Sequence, residues 1–245
     1  MRLDKFLSET GTLSRSESGR AARAGKILVN GRAVKSPSEQ VDPERDEIFF
    51  AGERVLYRRY TYILLNKPDG YVSATEDGRE KTVIELLPEK LQKLSLFPCG
   101  RLDKHTLGLM LLTNDGQLAH DLLSPRHHVE KNYHFSVKFP LTDAEVSQLE
   151  QGTVLEDGYE TKPSRIALDE SRKSGTIMLI EGKYHQIKRM MESVHNQITA
   201  LERISFGPLT LDENLERGAW RYLTNAEEAA LQACRKGTSH VTPRR

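Results

Sequence analysis

The sequence predicts an α+β fold in two parts, a small basic helix-and-hairpin domain followed by a larger α+β domain on a mostly antiparallel or mixed sheet. Three observations predict it. Eight Lys or Arg against three acids crowd residues 1–35. Past residue 60 strand-like apolar segments outnumber long helical ones, and they do not alternate as regular βαβ units. At 245 residues the chain has room for one or two domains. Apolar content of 37% and charged content of 29% describe a soluble globular protein, with no apolar run near the roughly 18 residues that span a bilayer. The start MRLDKFLSET lacks a hydrophobic region ending in a small-residue cleavage site, so no secretory signal is expected. Cys99 and Cys234 are too few for a disulfide framework, which suits a reducing cytosol.

The first part justifies its elements locally. Residues 2–8 place Leu3, Phe6 and Leu7 on one helical face. Ser14 or Ser16 can cap a second helix to about Ala24, where Gly25 stops it; Arg15, Arg20 and Arg23 fall along it. In KILVNGRAV the pair Asn30, Gly31 is a hairpin signal, since both turn positions need a positive φ. Glu47 to Phe50 gives another strand, closing a unit over residues 1–50. Residues 51–59, with three arginines and little periodicity, read as a linker.

The second part covers residues 60–235. Tyr60 to Leu65 is a strand ended by the turn Asn66 to Gly70, and Thr82 to Leu87 makes one or two helical turns before Pro88. The apolar run Leu107 to Leu112 is a buried strand followed by the turn Asn114, Asp115, Gly116. A helix from Gly116 to Leu123 buries Leu118, Leu122 and Leu123, and Pro125 ends it. Alternation puts Tyr133, Phe135, Val137 and Phe139 on one face of a strand. Thr142 with Glu145 is a capping box for a helix to about Gln151, terminated by Gly152. Thr176 to Glu181 is a strand; Tyr184 to His195 is a helix with Ile187, Met190, Met191 and Val194 inward, leaving His185, Lys188 and Arg189 on another side. Ile198 to Ile204 is a strand, and Thr224 with Glu227 caps a last helix to about Arg235. The basic tail 236–245 has little to bury and is expected to be mobile.

The net charge is only +1, but both ends are basic, and basic patches attract polyanions through counterion release. Other chemistries lack their motifs. The adjacent His127 and His128 stand without a second ligand at zinc-site spacing and there is no CxxC, so no metal is expected. A GxSxG elbow, a phosphate-binding loop and a dinucleotide glycine pattern are missing, so no cofactor is signalled. What remains is Asp103 between Arg101 and Lys104, Tyr133 on a strand, and Lys188 and Arg189 on a helix. Cations beside Asp103 favour its charged form. It reads either as a solvated loop aspartate or as a nucleophile or base at the mouth of a buried strand.

The segments RLDKFL, GKILVNGRAVKSPSEQV and DEI resemble, in that order, the small S-four RNA-binding domain first seen in a ribosomal protein. The resemblance implies grip on folded RNA through the helix bearing Arg15, Arg20 and Arg23, with Lys26 beside it. LNKPDGYV, GRLDKHTLGLMLLTNDGQ, SPRHHVEKNY and EGKYHQIKRMMESV occur in the order found in pseudouridine synthases that modify ribosomal RNA. The match runs from Arg2 to about Ala229, and the HH-x-EK-x-Y and YHQ-x-KRM segments look most like members acting on the small subunit. The resemblance implies the pseudouridine synthase fold and cofactor-free isomerisation of a uridine, with Asp103 as the catalytic aspartate. It also implies that Tyr133 stacks on the flipped base and that Lys188 pairs with the aspartate. Arg101 resembles the residue that helps extrude the nucleotide, and Arg189 is expected to bind RNA. His105 departs from the usual Asp or Asn and Leu107 from a small or polar residue; a histidine two positions from Asp103 can alter local charge near neutral pH. The expected setting is the cytoplasm, with a monomer acting on ribosomal RNA inside a small-subunit assembly particle and no membrane partner. Large-subunit RNA as the target, or a non-catalytic RNA-binding assembly factor, are the alternatives.

Overall fold

The computed structural model describes residues 1–124 and 127–235, and their contacts divide into two compact units. The first unit comprises Met1–Thr61 with Leu87–Leu96. Its helices α1 (Leu3–Glu9) and α2 (Arg15–Arg23) pack on a four-stranded sheet of β1 (Ile27–Val29), β2 (Arg32–Ala33), β3 (Ile48–Phe50) and β4 (Glu53–Arg54), in the order β2-β1-β3-β4. Leu3, Phe6, Leu7, Ile27, Val34 and Ile48 form a core almost closed to solvent. Ser14 caps α2 in a full capping box with Glu17. Asn30 and Gly31 both take positive φ (51° and 76°), the type I′ turn that matches the twist of paired strands. A short helix α3 (Glu89–Gln92) belongs to this unit.

Residues 51–59 are not a linker. Ala51 and Gly52 take positive φ (51° and 88°), so the chain reverses and β4 pairs with β3. Tyr57 then stacks on Phe6 with ring centroids 5.4 Å apart, and its hydroxyl donates to Glu9 at 2.8 Å. A two-residue turn without Asn or Pro, in an arginine-rich stretch, gives little local signal.

The second unit, Tyr62–Leu86 with Phe97–Arg245, is built on a nine-stranded mixed sheet among the described residues. Its strands are β5 (Tyr62–Lys67), β6 (Phe97–Cys99), β7 (Leu107–Thr113), β8 (Lys131–Val137), β9 (Arg165–Leu168), β10 (Ser174–Leu179), β11 (Ile198–Phe206), β12 (Leu209–Thr210) and β13 (Trp220–Tyr222). Among the described residues the helices are α4 (Gly116–Leu123), α5 (Asp143–Gln151), α6 (Gln186–Ser193) and α7 (Asn225–Arg235), with a 3₁₀ turn at Val83–Leu86. The main order is β13-β5-β7-β11-β8-β10-β9, and β7 with β11 is its one parallel pair. β5 and β7 are buried on both faces, which is why they read as continuous apolar runs. No helix of the described residues is long and apolar enough to cross a membrane.

Three details depart from the sequence reading. Leu118 and Leu122 are buried but Leu123 is 43% exposed, because it falls about 140° round the helix from Leu118. Phe139 is 53% exposed: β8 ends at Val137, and the Asn196 side chain, not a strand, takes the N–H and C=O of Phe139. Lys131 instead heads the buried face that holds Tyr133, Phe135 and Val137. α6 begins at Gln186, since His185 sits in left-handed conformation at φ 51°. Pro125 and the tail 236–245 lie outside the described residues.

Asp115 ties three elements together. One carboxylate oxygen accepts from the Leu118 amide at 3.0 Å and caps α4; the other accepts from the Tyr62 hydroxyl at 2.8 Å, which in turn accepts from Gln232 of α7 at 3.0 Å. Burial pushes the Tyr62 phenol well above its ordinary pKa. Asp115→Ala loses the cap and strips a buried hydroxyl of its acceptor, so chemical denaturation is expected to show a loss of about 2 kcal/mol, against about 1 kcal/mol for Tyr62→Phe.

Candidate active site

The site grows out of a fork in the sheet. One edge of β7 pairs with β5 throughout; the other pairs with β11 at Leu107 and Gly108 and with β6 from Leu111 to Thr113. The chain leaves β6 at the fork, makes the loop 100–106, and re-enters as β7. Gly108 is required there: at φ +96° a Cβ would lie 2.3 Å from the Arg203 carbonyl oxygen.

Buried groups pin this loop. The Ser73 hydroxyl donates to the Leu102 carbonyl at 2.7 Å and accepts from its amide at 2.9 Å. Lys67, fully buried at the end of β5, donates to the carbonyls of Pro68, Lys104 and Thr106 at 3.1, 3.0 and 2.9 Å. Burial pushes its ammonium down to about 8, against the opposing pull of Asp69 and Asp103. The Thr106 amide donates to the Asp103 carbonyl at 3.0 Å, which closes the turn and projects the carboxylate.

The cations next to Asp103 in sequence are not its partners in space. Lys104 pairs with Glu80 at 2.7 Å and Arg101 extends into solvent. The carboxylate is held instead from α6: Lys188 Nζ donates to Oδ2 at 2.6 Å, and His185 Nε2 lies 3.4 Å from Oδ1. α6 presents Lys188 here because Ile187, Met190 and Met191 fill the core on its other face. His105 turns to Asp69 at 2.8 Å, which holds the Asp69 carboxyl below its ordinary range.

Asp103, Lys188, Tyr133 and Arg101 line one cleft of about 680 Å³. That volume suits a nucleoside-sized guest. Tyr133, 8% exposed on β8, stands between Ile177 of β10 and Arg203 of β11. Arg189 does not join them: it pairs with Asp157 at 2.6 Å and bonds the Tyr184 carbonyl at 3.5 Å. Arg15, Arg20, Arg23 and Lys26 are exposed on the first unit. At 100° per residue the three arginines share an arc of about 140° on α2; buried Ser18 and Ala21 lie outside it, and buried Ala22 borders it next to Arg15. Among the described residues no cluster of His, Cys, Asp and Glu could hold a metal ion. Sequence reading missed Lys67, Lys131 and Arg203. The available signal was a basic residue inside each of three otherwise strand-like runs.

The family pattern described as RNA pseudouridylate synthase matches residues 61–193, and that of the S4 domain matches residues 1–48. The chain is 44% identical over 230 residues to the uncharacterized RNA pseudouridine synthase YtzG of Bacillus subtilis, covering 93% of this chain and 96% of that one. It is 39% identical over 234 residues to the ribosomal small subunit pseudouridine synthase A of Yersinia pestis, covering 95% and 99%. A solved structure described as a pseudouridylate synthase superposes with a TM-score of 0.66 at 36% identity, covering 94% and 99%.

The buried ammonium of Lys67 gives the fold a pH signature. Between its folded value near 8 and its ordinary 10.5 the unfolded chain binds more protons, so its contribution makes stability rise with pH across that window. Below the window the folded protein bears the full cost of the buried charge. Denaturation between pH 8 and 10 is expected to show this rise, and Lys67→Met is expected to remove part of it, leaving the share of Lys131, which burial also pushes to about 8.

Proposed function

The chain belongs to the RNA pseudouridylate synthase family, and on that premise we propose that it isomerises a uridine of small-subunit ribosomal RNA, with Asp103 as the catalytic carboxylate and no cofactor. The observation that carries the catalytic assignment is the 2.6 Å pair of Asp103 with Lys188 inside the cleft lined by Tyr133. The small-subunit target is supported by the name of the Yersinia relative and by similarity across 95% of this chain.

The reaction breaks the N1–C1′ bond of uridine, turns the base, and joins C5 to C1′; the hydrogen on C5 is lost to solvent and N1 takes one up. Asp103 serves it by attacking the ribose or by removing a proton from it, and both roles need an ionised carboxylate beside the sugar. Lys188 supplies the counter-charge that holds it in place. The ring of Tyr133 offers a face on which the turned-out base can stack, and Arg101 at the cleft rim can fill the gap left in the RNA stack. A half-enclosed cleft keeps the detached uracil in position for the second bond.

The first unit supplies grip. Cations on a rigid helix suit folded RNA, which is bound by shape and backbone. Asp103→Asn is expected to abolish tritium release from ribosomal RNA labelled at uridine C5 while leaving RNA binding intact. Pseudouridine mapping should show one small-subunit position lost with the variant and restored by the wild type. Equal release by both proteins would defeat the catalytic assignment, and a lost position in the large subunit would move the target there. Arg20→Glu with Arg23→Glu is expected to weaken RNA binding at low salt and to reduce the slope of log K against log salt by about 1.5, measured by fluorescence anisotropy across a salt series.

A further inference from the structure

One row of opposed residues crosses the sheet beneath the cleft: Ile177 of β10, Tyr133 of β8, Arg203 of β11 and Gly108 of β7. Directly opposed side chains stand on the same face, so Arg203 and Tyr133 leave the sheet side by side, and the other neighbour of Arg203 in the row has no side chain. Arg203 is 1% exposed. Its Nε donates to the Leu109 carbonyl at 2.8 Å, in the gap of the fork between β11 and β6, and Nη2 faces the Met110 sulfur at 3.8 Å. Neither partner is charged, and among the described residues Arg203 forms no ion pair. Lys131, 8% exposed, stands close by with only the Val129 carbonyl at 2.8 Å; both cations lie over the Phe206 ring, at 5.1 Å for Arg203 and 5.5 Å for Lys131. Among the described residues no carboxylate forms an ion pair with either cation, although buried Glu181 attracts Lys131 from farther off, so the two remain costly unless something anionic uses them.

Arg203 and Lys131 both line the cleft. The remaining guanidinium nitrogen, Nη1, lies beside Gly100, where a Cβ would sit 3.8 Å from it and 3.0 Å from the Leu123 side chain. The glycine therefore leaves a window from the cleft onto Nη1. RNA phosphates are strongly hydrated and stay with the backbone at the mouth, so the group able to reach this depth is an inserted base.

We propose that Arg203, backed by Lys131, binds the carbonyl oxygens of the target uracil and holds the negative charge left on that ring when the N1–C1′ bond breaks. This rests on the isomerase reading above. The electron pair of the broken bond stays with the base, which becomes a uracil anion with its charge spread over N1, O2 and O4. The ribose carbon is satisfied by an Asp103 oxygen or by loss of a ribose proton to Asp103. Arg203 keeps its proton throughout; the ring charge is used up when C5 bonds to C1′, and the later loss of the C5 proton is balanced by the proton that N1 takes up. Because this charge exists only after bond breaking begins, Arg203 favours the transition state over the bound substrate.

The test uses the full chain and tritium release from C5-labelled ribosomal RNA. Arg203→Met is expected to lower kcat by about 10²-fold with KM for RNA changed less than about threefold, and Arg203→Lys to recover part of the loss by keeping the charge. A Met variant with wild-type kcat, or a folded Lys variant as slow as Met, would overturn the proposal while leaving the isomerase reading intact if the wild type still releases tritium. A second measurement needs no variant: free 5-nitrouracil, already anionic at neutral pH because the nitro group withdraws electrons, is expected to bind the wild-type cleft at least tenfold more tightly than uracil. Equal binding of the two bases would reject the role of Arg203 even if its variants failed to fold.

Discussion

The ion pair between Asp103 and Lys188 is the constraint to which the rest of the second unit answers. It joins residues 85 positions apart, one on a loop and one on a helix, at 2.6 Å. Each side chain keeps 28% of its surface exposed. A pair so open to water adds little to stability. Its position is a product of the fold, since the fork in the sheet releases the loop at Gly100 and the apolar face of α6 fixes the rotation that aims Lys188 inward. Deep hydrogen bonds from Lys67 and Ser73 hold the other half, so that the carboxylate is presented without any strong interaction of its own with the core.

Beneath this pair the charge pattern is one-sided. Lys67, Lys131 and Arg203 are buried and bonded mainly to carbonyl oxygens; Asp103 is partly exposed, and Glu181, as buried as Lys131, attracts that lysine without pairing with it. Glu181 is occupied by Tyr159, Gln186 and the Lys162 amide. Carbonyl dipoles satisfy the N–H groups of buried cations without cancelling their charge, so a positive field persists at the floor. Each such cation costs stability, and the continuous apolar strands β5 and β7 are what offset it.

Much of this was legible in the sequence because the signals are local. Thr142 with Glu145 and Thr224 with Glu227 are capping pairs three residues apart, and both open helices as read; of the two serines offered for α2 the cap is Ser14, completed by Glu17. The turn Asn30, Gly31 and the periodicity of Ile187, Met190 and Met191 report backbone conformation and one buried face directly. The mixed sheet followed from strand count. What failed was non-local. The cations flanking Asp103 in sequence do not pair with it, because the loop turns Lys104 to Glu80; Lys188, named through the family resemblance and not through spacing, reaches the carboxylate from a helix 85 residues away, with His185 beside it. Arg189 was expected on the same side of the helix as Lys188, yet one residue is 100° of helix, enough to turn it to Asp157. The strands β6, β9 and β13, three or four residues each, are too short for alternation to mark them, and they pair because a neighbouring edge was available, which no window of sequence contains.

These two kinds of information meet at the cleft. An isomerase that detaches a base and rejoins it has no group to transfer away, so its demands are a charge at the sugar, a surface for the ring, and walls that keep the fragments together. On the proposed reading the loop carboxylate lies in a contiguous motif, while the surface and the floor depend on strand register. Tyr133 and Arg203 are 70 positions apart in sequence yet directly opposed on adjacent strands, and a one-residue slip of β11 would turn Arg203 to the other face. The bulge between Arg203 and Ser205, immediately after that pairing, absorbs the irregularity of the strand beyond the pair and leaves the register under the cleft intact.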